Sequence, residues 1–361
     1  MTSMLMRNIT LPTGPYDWHE TKVPRRIYDA RLDALRAVMR EGGLAGTILS
    51  GSTFDDGAIA WLTGFTPKLG PAYALVPLAG QPRLLFSGGP GMRPSAQRLT
   101  WLEDVAALKS LTSDLSAWDC PKPWGLVEDA GLSAVAMHAI GHVHGGHVHG
   151  GMPTDLTAAM DRLRRVPEAA VKPLIHRGAE ILGLIETSLI ETAAPTRWEA
   201  RLAAEQLAFD LGAQDLRLRL SAIEGGRPEP VDPDGAALPE QAALTIALRA
   251  DGYWLLGHGW RGPRRPRPDT AGLARLAAGV APATLGLGHI APLGHSLVEP
   301  PLDPQQPLAE GQCLRVTLDS PTAPLSVLVE ITAPPLPSGP RLLWAAAALA
   351  PQQSGLTGVR P

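Results

Sequence analysis

Histidine is the side chain best suited to moving a proton near neutral pH, and two groups of histidines stand out in this chain. The first is a tract of five imidazoles within twelve residues: His138, His142, His144, His147 and His149. It holds a tandem copy, Gly-His-Val-His-Gly at 141–145 and again at 146–150. Such a tract can bind Zn, Ni or Cu, or offer haem an axial ligand. On a strand, His142 and His144 would face the same way. Against that, its glycines supply flexibility rather than preorganisation, and it holds no carboxylate or cysteine. A solvated loop lengthened by repeat slippage is the plainer reading. The second group is His258, His289 and His295, accompanied by Glu299, Asp319 and Glu330. A histidine between carboxylates can act as a general base; a hydrogen-bonded loop histidine is the plainer reading of each. A basic run at 261–268 opens with Arg261 and carries four arginines. It reads as a solvated turn, or as an anchor for a substrate carboxylate.

Composition limits what these groups can serve. A net charge of −3 leaves no basic field for nucleic acid, so no nucleic-acid partner is expected. The longest apolar run, at 342–350, is far too short to span a bilayer, so no membrane partner is expected either. Cys120 and Cys313 are the only cysteines, which excludes a disulfide framework and fits a reducing cytoplasm. No apolar stretch near the N-terminus suggests a signal peptide. At 361 residues, 45% of them apolar, the chain has material for two cores.

The elements that must position the histidines can be read from periodicity. Residues 1–27 read as an arm. Leu32, Leu35, Val38 and Met39 recur at helical spacing until Gly42-Gly43 stops them. Strands are expected at 44–49, 72–77, 82–86 and 124–127, with a helix at 132–138. This gives an α/β domain over 28–155. Helices at 156–166 and 168–191 open the second half, and Thr196 is placed to cap another at 197–211. A loop is expected at 225–235. Strands follow at 242–248 and 252–256 around a turn at Ala250-Asp251, then a helix at 270–280 and strands at 313–318 and 325–332. This half reads as α+β over 156–335, helices backing a curved antiparallel sheet, with a Pro/Ala-rich tail at 336–361.

Several local strings, in this order, resemble the creatinase, aminopeptidase P and prolidase group of pita-bread proteins. Arg31-Leu32-Asp33-Ala34-Leu35 through Glu41-Gly42-Gly43-Leu44, then Trp61-Leu62-Thr63-Gly64-Phe65, resembles its "RLxxLRxxMxxxGLxxxxV … YLTGF". Leu163-Arg164-Arg165-Val166-Pro167-Glu168 is similar to "LRxIKSPEE", and Thr196-Arg197-Trp198-Glu199 to "GxTExE". Asp251-Gly252-Tyr253 is similar to "xGYxxD", Glu299-Pro300-Pro301 to "HEPP", and Pro307-Leu308-Ala309-Glu310-Gly311 to "PLEPG".

The resemblance implies a homodimer and two divalent ions between two Asp, one His and two Glu, activating a bridging water. The ligand positions are largely lost. Ala247-Leu248-Arg249 stands where the first Asp belongs, Leu256 where the second does, and Thr317 in place of a Glu. Glu330 matches the last Glu, and the histidine is either His289 or His295. The expected function is therefore that of a metal-independent enzyme, cofactor-free unless the His tract binds metal or haem. It would act on a small amino-acid-like or short-peptide substrate, with His289, His295, Glu299 and Glu330 as acid–base groups. Tyr253, His258, Arg261 and Asp319 are the candidates to bind the substrate. A catalytically inactive binding or partner protein is the second reading, and a metal- or haem-handling protein using the His tract is the third.

Overall fold

The computed structural model describes residues 17–53, 55–109, 111–118, 123–127, 154–193, 195–224, 227–231, 235–263, 272–276, 281–285, 287–297, 299–318, 324–332 and 341–345. The His tract with His138, His142, His144, His147 and His149, the expected helix at 132–138 and Asp319 lie outside these residues. So do most of the tail and the arginines of the basic run beyond Arg261. Two compact units are present, Met1–Arg164 and Arg165–Pro361. The expected boundary at 155 lies ahead of one more helix, whose Met160 joins the first unit's core.

The first unit is α/β, as its alternation of elements implied. Helix α1 (Arg25–Glu41) buries Tyr28, Leu32, Leu35 and Met39 at helical spacing. Strand β1 (Gly46–Gly51) is buried on both faces. Around it come α2 (Gly57–Thr63), β2 (Ala72–Pro77), β3 (Arg83–Phe86), α3 (Arg93–Arg98), β4 (Asp104–Ala107), α4 (Leu111–Trp118), β5 (Trp124–Val127), β6 (Thr154–Asp155) and α5 (Thr157–Arg164). The sheet runs β4-β3-β2-β1-β5-β6. Alternation along β1 sends Leu49 into one core and Ile48 into the other. Gly64 ends α2 with φ 73°, where a Cβ would lie 2.9 Å from the Tyr28 hydroxyl.

The second unit is built from helices α6 (Lys172–Glu191) and α7 (Arg197–Asp210) and two four-stranded antiparallel sheets. One sheet contains β7 (Asp215–Glu224), β8 (Arg227–Val231), β9 (Ala242–Ala250) and β10 (Tyr253–Arg261), in the order β10-β9-β7-β8. The other runs β11 (Ile290–Pro292), β12 (Cys313–Leu318), β13 (Leu325–Glu330), β14 (Arg341–Ala345). A bridge between Trp254 and Gly294 joins the two. The loop expected at 225–235 differs: Arg227–Val231 is an edge strand. Pro228 and Pro230 are tolerated there because an edge strand leaves one row of donors unused.

The β9–β10 hairpin fixes which side chains face the interior of the second unit. Asp251 and Gly252 both have positive φ, 46° and 87°, as a two-residue hairpin turn requires. That turn sets Ala247 opposite Leu256 and Thr245 opposite His258. Gly178 of α6 lies so close to Leu255 that a Cβ would come within 2.6 Å of Leu255 Cδ1. A Cβ on Gly259 would meet Glu186 of the same helix. Leu255 and Gly259 therefore face α6. By alternation Trp254, Leu256 and His258, with their partners Arg249, Ala247 and Thr245, face away from it.

Thr196 caps α7 as its sequence implied, and the box is reciprocal: its hydroxyl accepts from Glu199 N–H, and its own N–H donates to the Glu199 carboxylate. Thr196→Ala should cost about 1 kcal/mol of stability in urea denaturation, while Thr196→Ser should cost much less. Equal losses in both variants would contradict the cap.

Candidate functional site

Where the resemblance implies metal ligands, the second unit presents a cation. Ala247 and Leu256, in the two Asp positions, are register partners across β9 and β10. On the same face, His258 Nδ1 lies 3.3 Å from the Thr245 hydroxyl. Arg315 of β12 and His289, just ahead of β11, complete the group: Arg315 Nη2 is 3.5 Å from His289 Nδ1. Thr317, in a Glu position, is two residues from Arg315, and its N–H donates to the His289 carbonyl.

Charge in this group is one-sided. Arg315 is only 8% exposed, and burial pulls its pKa below the usual arginine value, though a guanidinium stays protonated. Burial also lowers the pKa of His258 to about 4, helped by the charge of Arg315 and by His289. His289 is lowered by burial first and by Arg315 second. Both imidazoles are thus neutral at pH 7 beside one fixed positive charge.

Two divalent ions do not fit these residues. A dinuclear site needs several carboxylates to neutralise its charge. This face offers alanine, leucine and threonine in three of those positions and a guanidinium between them. Among the described residues, no group of three or more His, Cys, Asp or Glu is arranged to hold a metal.

The other expected residues are placed elsewhere. His295 is buried, stacks on Tyr253 with ring centroids 4.2 Å apart, and has Nδ1 2.9 Å from the Gly252 carbonyl oxygen. Glu299 accepts from Ser296 N–H at 2.8 Å. These three brace the 293–299 turn against the tip of the β9–β10 hairpin. Glu330 accepts from Lys172 Nζ at 2.8 Å, and its other oxygen lies 3.1 Å from His176 Nε2. An internal ammonium thus occupies a carboxylate that would otherwise attract a metal ion. Arg261 donates to the carbonyls of Leu189 and Ile190 at the end of α6, a structural use.

His289 and His295 also sit at different depths. His289 O pairs with Thr317 N, and Leu293 N pairs with Cys313 O. Four strand residues separate these points, about 13 Å, and His295 lies beyond the second of them. The two rings also have separate neighbours, Arg315 for His289 and Tyr253 for His295.

Arg315, Lys172, His176 and Thr245 were not singled out from sequence. Arg315 carried a signal: it is a lone charge in Cys313–Leu318, a strand buried along its whole length. Lys172 and His176 are four apart on α6, so they share a helix face.

No protein-family model matches the sequence, and no curated protein matches it. Solved structures do match. The prolidase from Pyrococcus horikoshii superposes with a TM-score of 0.67 at 14% identity, covering 88% of this chain and 98% of that one. An aminopeptidase P from Escherichia coli gives 0.67 at 11%, covering 89% and 95%. A dipeptidase, PepE, from Mycobacterium ulcerans gives 0.63 at 15%, covering 90% and 97%. The fold is therefore the pita-bread fold of the creatinase and aminopeptidase P type, in a divergent chain.

Neutral His258 makes stability depend on pH. Its folded pKa, about 4, lies below the ordinary 6.5, so the unfolded chain binds the proton more tightly. This contribution is fully present above pH 6.5 and is lost as pH falls toward 4, by roughly 3 kcal/mol. The stability difference between wild type and His258→Asn should shrink by about that much between pH 7.5 and 4, measured by urea unfolding. A difference that stays constant with pH would contradict a buried neutral imidazole.

Proposed function

We propose that this chain binds a small amino-acid-like or short-peptide ligand in the second unit without divalent metal. The observation that carries this reading is the Arg315 guanidinium beside His258 and His289, on the face where the resemblance implies metal ligands. A positive charge there repels divalent cations and attracts an anionic ligand. The names of the matching structures, prolidase, dipeptidase and aminopeptidase P, supply the ligand class. The resemblance and the cysteine content suggest that it works as a cytoplasmic homodimer. No helix among the described residues is long and apolar enough to cross a membrane.

A metal-independent enzyme is the second reading, with His289 as its base. The pKa of His289 is lowered and its side chain is exposed, so it can accept a proton from a bound substrate. His295 and Glu299 brace a turn, and Glu330 is engaged by Lys172.

Isothermal titration of the EDTA-treated protein with a panel of amino acids and Xaa-Pro dipeptides tests the proposal. At least one should bind, with affinity unchanged within about twofold on adding Mn. Mn-dependent cleavage of a dipeptide, or no binding across the panel, would overturn it. Metal-free turnover that disappears in His289→Ala would favour the enzyme reading.

A further inference from the structure

The chemistry of the ligand can be read from Arg315, an inference that rests on the binding role proposed above. A planar guanidinium can grip a carboxylate with two parallel hydrogen bonds. Among the described residues, Arg315 Nε is buried with no hydrogen-bond acceptor. Among the described residues Nη2 meets only His289 Nδ1, at 3.5 Å, the outer limit of a hydrogen bond. No salt bridge to Arg315 is formed among the described residues. The residue is only 8% exposed. A permanently charged group buried this far is strongly unfavourable unless an anion meets it.

We infer that the Arg315 guanidinium receives the carboxylate of the ligand, with His258, His289, Thr245 and Thr317 around it. Stoichiometry of charge selects the anion. One guanidinium and two neutral imidazoles carry a single positive charge, which matches a carboxylate and leaves phosphate dianion over-charged. Flatness selects it too, because a planar fork and a planar carboxylate present two bonds at once. Thr317 lies on the same strand face as Arg315, two residues along, where its hydroxyl can donate to a remaining lone pair. The carboxylate would add negative charge beside His289 and make it easier to protonate. Occupancy is therefore visible in the histidine rings.

The test is NMR of the full chain, with the ring C–H resonances of His258 and His289 assigned from His258→Asn and His289→Asn. Acetate is the probe, inorganic phosphate the competitor, and chloride holds ionic strength constant. Acetate should shift both resonances saturably and raise the apparent pKa of His289. Arg315→Gln should weaken acetate at least about tenfold. Arg315→Lys keeps the charge and loses the fork, so it should weaken acetate as well, and it serves if Arg315→Gln fails to fold. Absence of a saturable shift, unchanged affinity in either variant, or phosphate binding as tightly as acetate would overturn the assignment. A dipeptide that binds without displacing acetate would also overturn it, while leaving the proposed binding role intact.

Discussion

A guanidinium keeps its charge at any pH at which a protein folds, so burying one decides what else its surroundings can hold. Arg315 sits in a strand buried along its whole length and is itself 8% exposed. Its field, added to burial, keeps His258 and His289 neutral. Divalent cations are disfavoured there for the same reason that anions are favoured. Ala247, Leu256 and Thr317, where the resemblance implies carboxylates, thus share a unit with a buried arginine whose charge is opposite to that of a metal ligand, on a fold shared with solved structures of 11–15% identity. Lys172 neutralises Glu330, the one expected ligand carboxylate placed within the described residues.

The scaffold accommodates these residues without disturbing the fold. The Asp251-Gly252 turn fixes the register of β9 and β10, and α6 packs its Gly178 against Leu255 on the other face. Side chains on the free face can therefore change chemistry while those against the helix hold the sheet in place. Ala247 and Leu256 are apolar yet sit at positions defined by backbone pairing alone. A sheet holds its geometry through main-chain hydrogen bonds, which do not depend on whether an aspartate or a leucine is displayed.

Much of the architecture was legible from local pattern. The α1 stripe and the Thr196 cap follow from short-range rules, the hairpin turn falls at Asp251-Gly252, one residue beyond the expected Ala250-Asp251, and the two-domain pita-bread description holds. Strand β7 was missed although Leu216, Leu218 and Leu220 alternate with Arg217 and Arg219. β8 was missed because its prolines read as loop. The absence of carboxylates at Ala247, Leu256 and Thr317 could be read directly. The grouping of the remaining residues could not. Whether His258 meets His289 or His295 depends on how β10, β11 and β12 are registered across two sheets, and no local spacing encodes that. Arg315 escaped because the search was for acids, and the informative residue was a base.

The central claim is that this face holds an anion where the resemblance implies metal ions. Crystals soaked separately in manganese chloride and sodium bromide, each measured at the anomalous edge of its ion, would test it most directly. The account predicts a bromide peak beside the Arg315 guanidinium and no manganese peak between β9, β10 and β12. Manganese bound among Thr245, Leu256 and Thr317, with no bromide at Arg315, would contradict it.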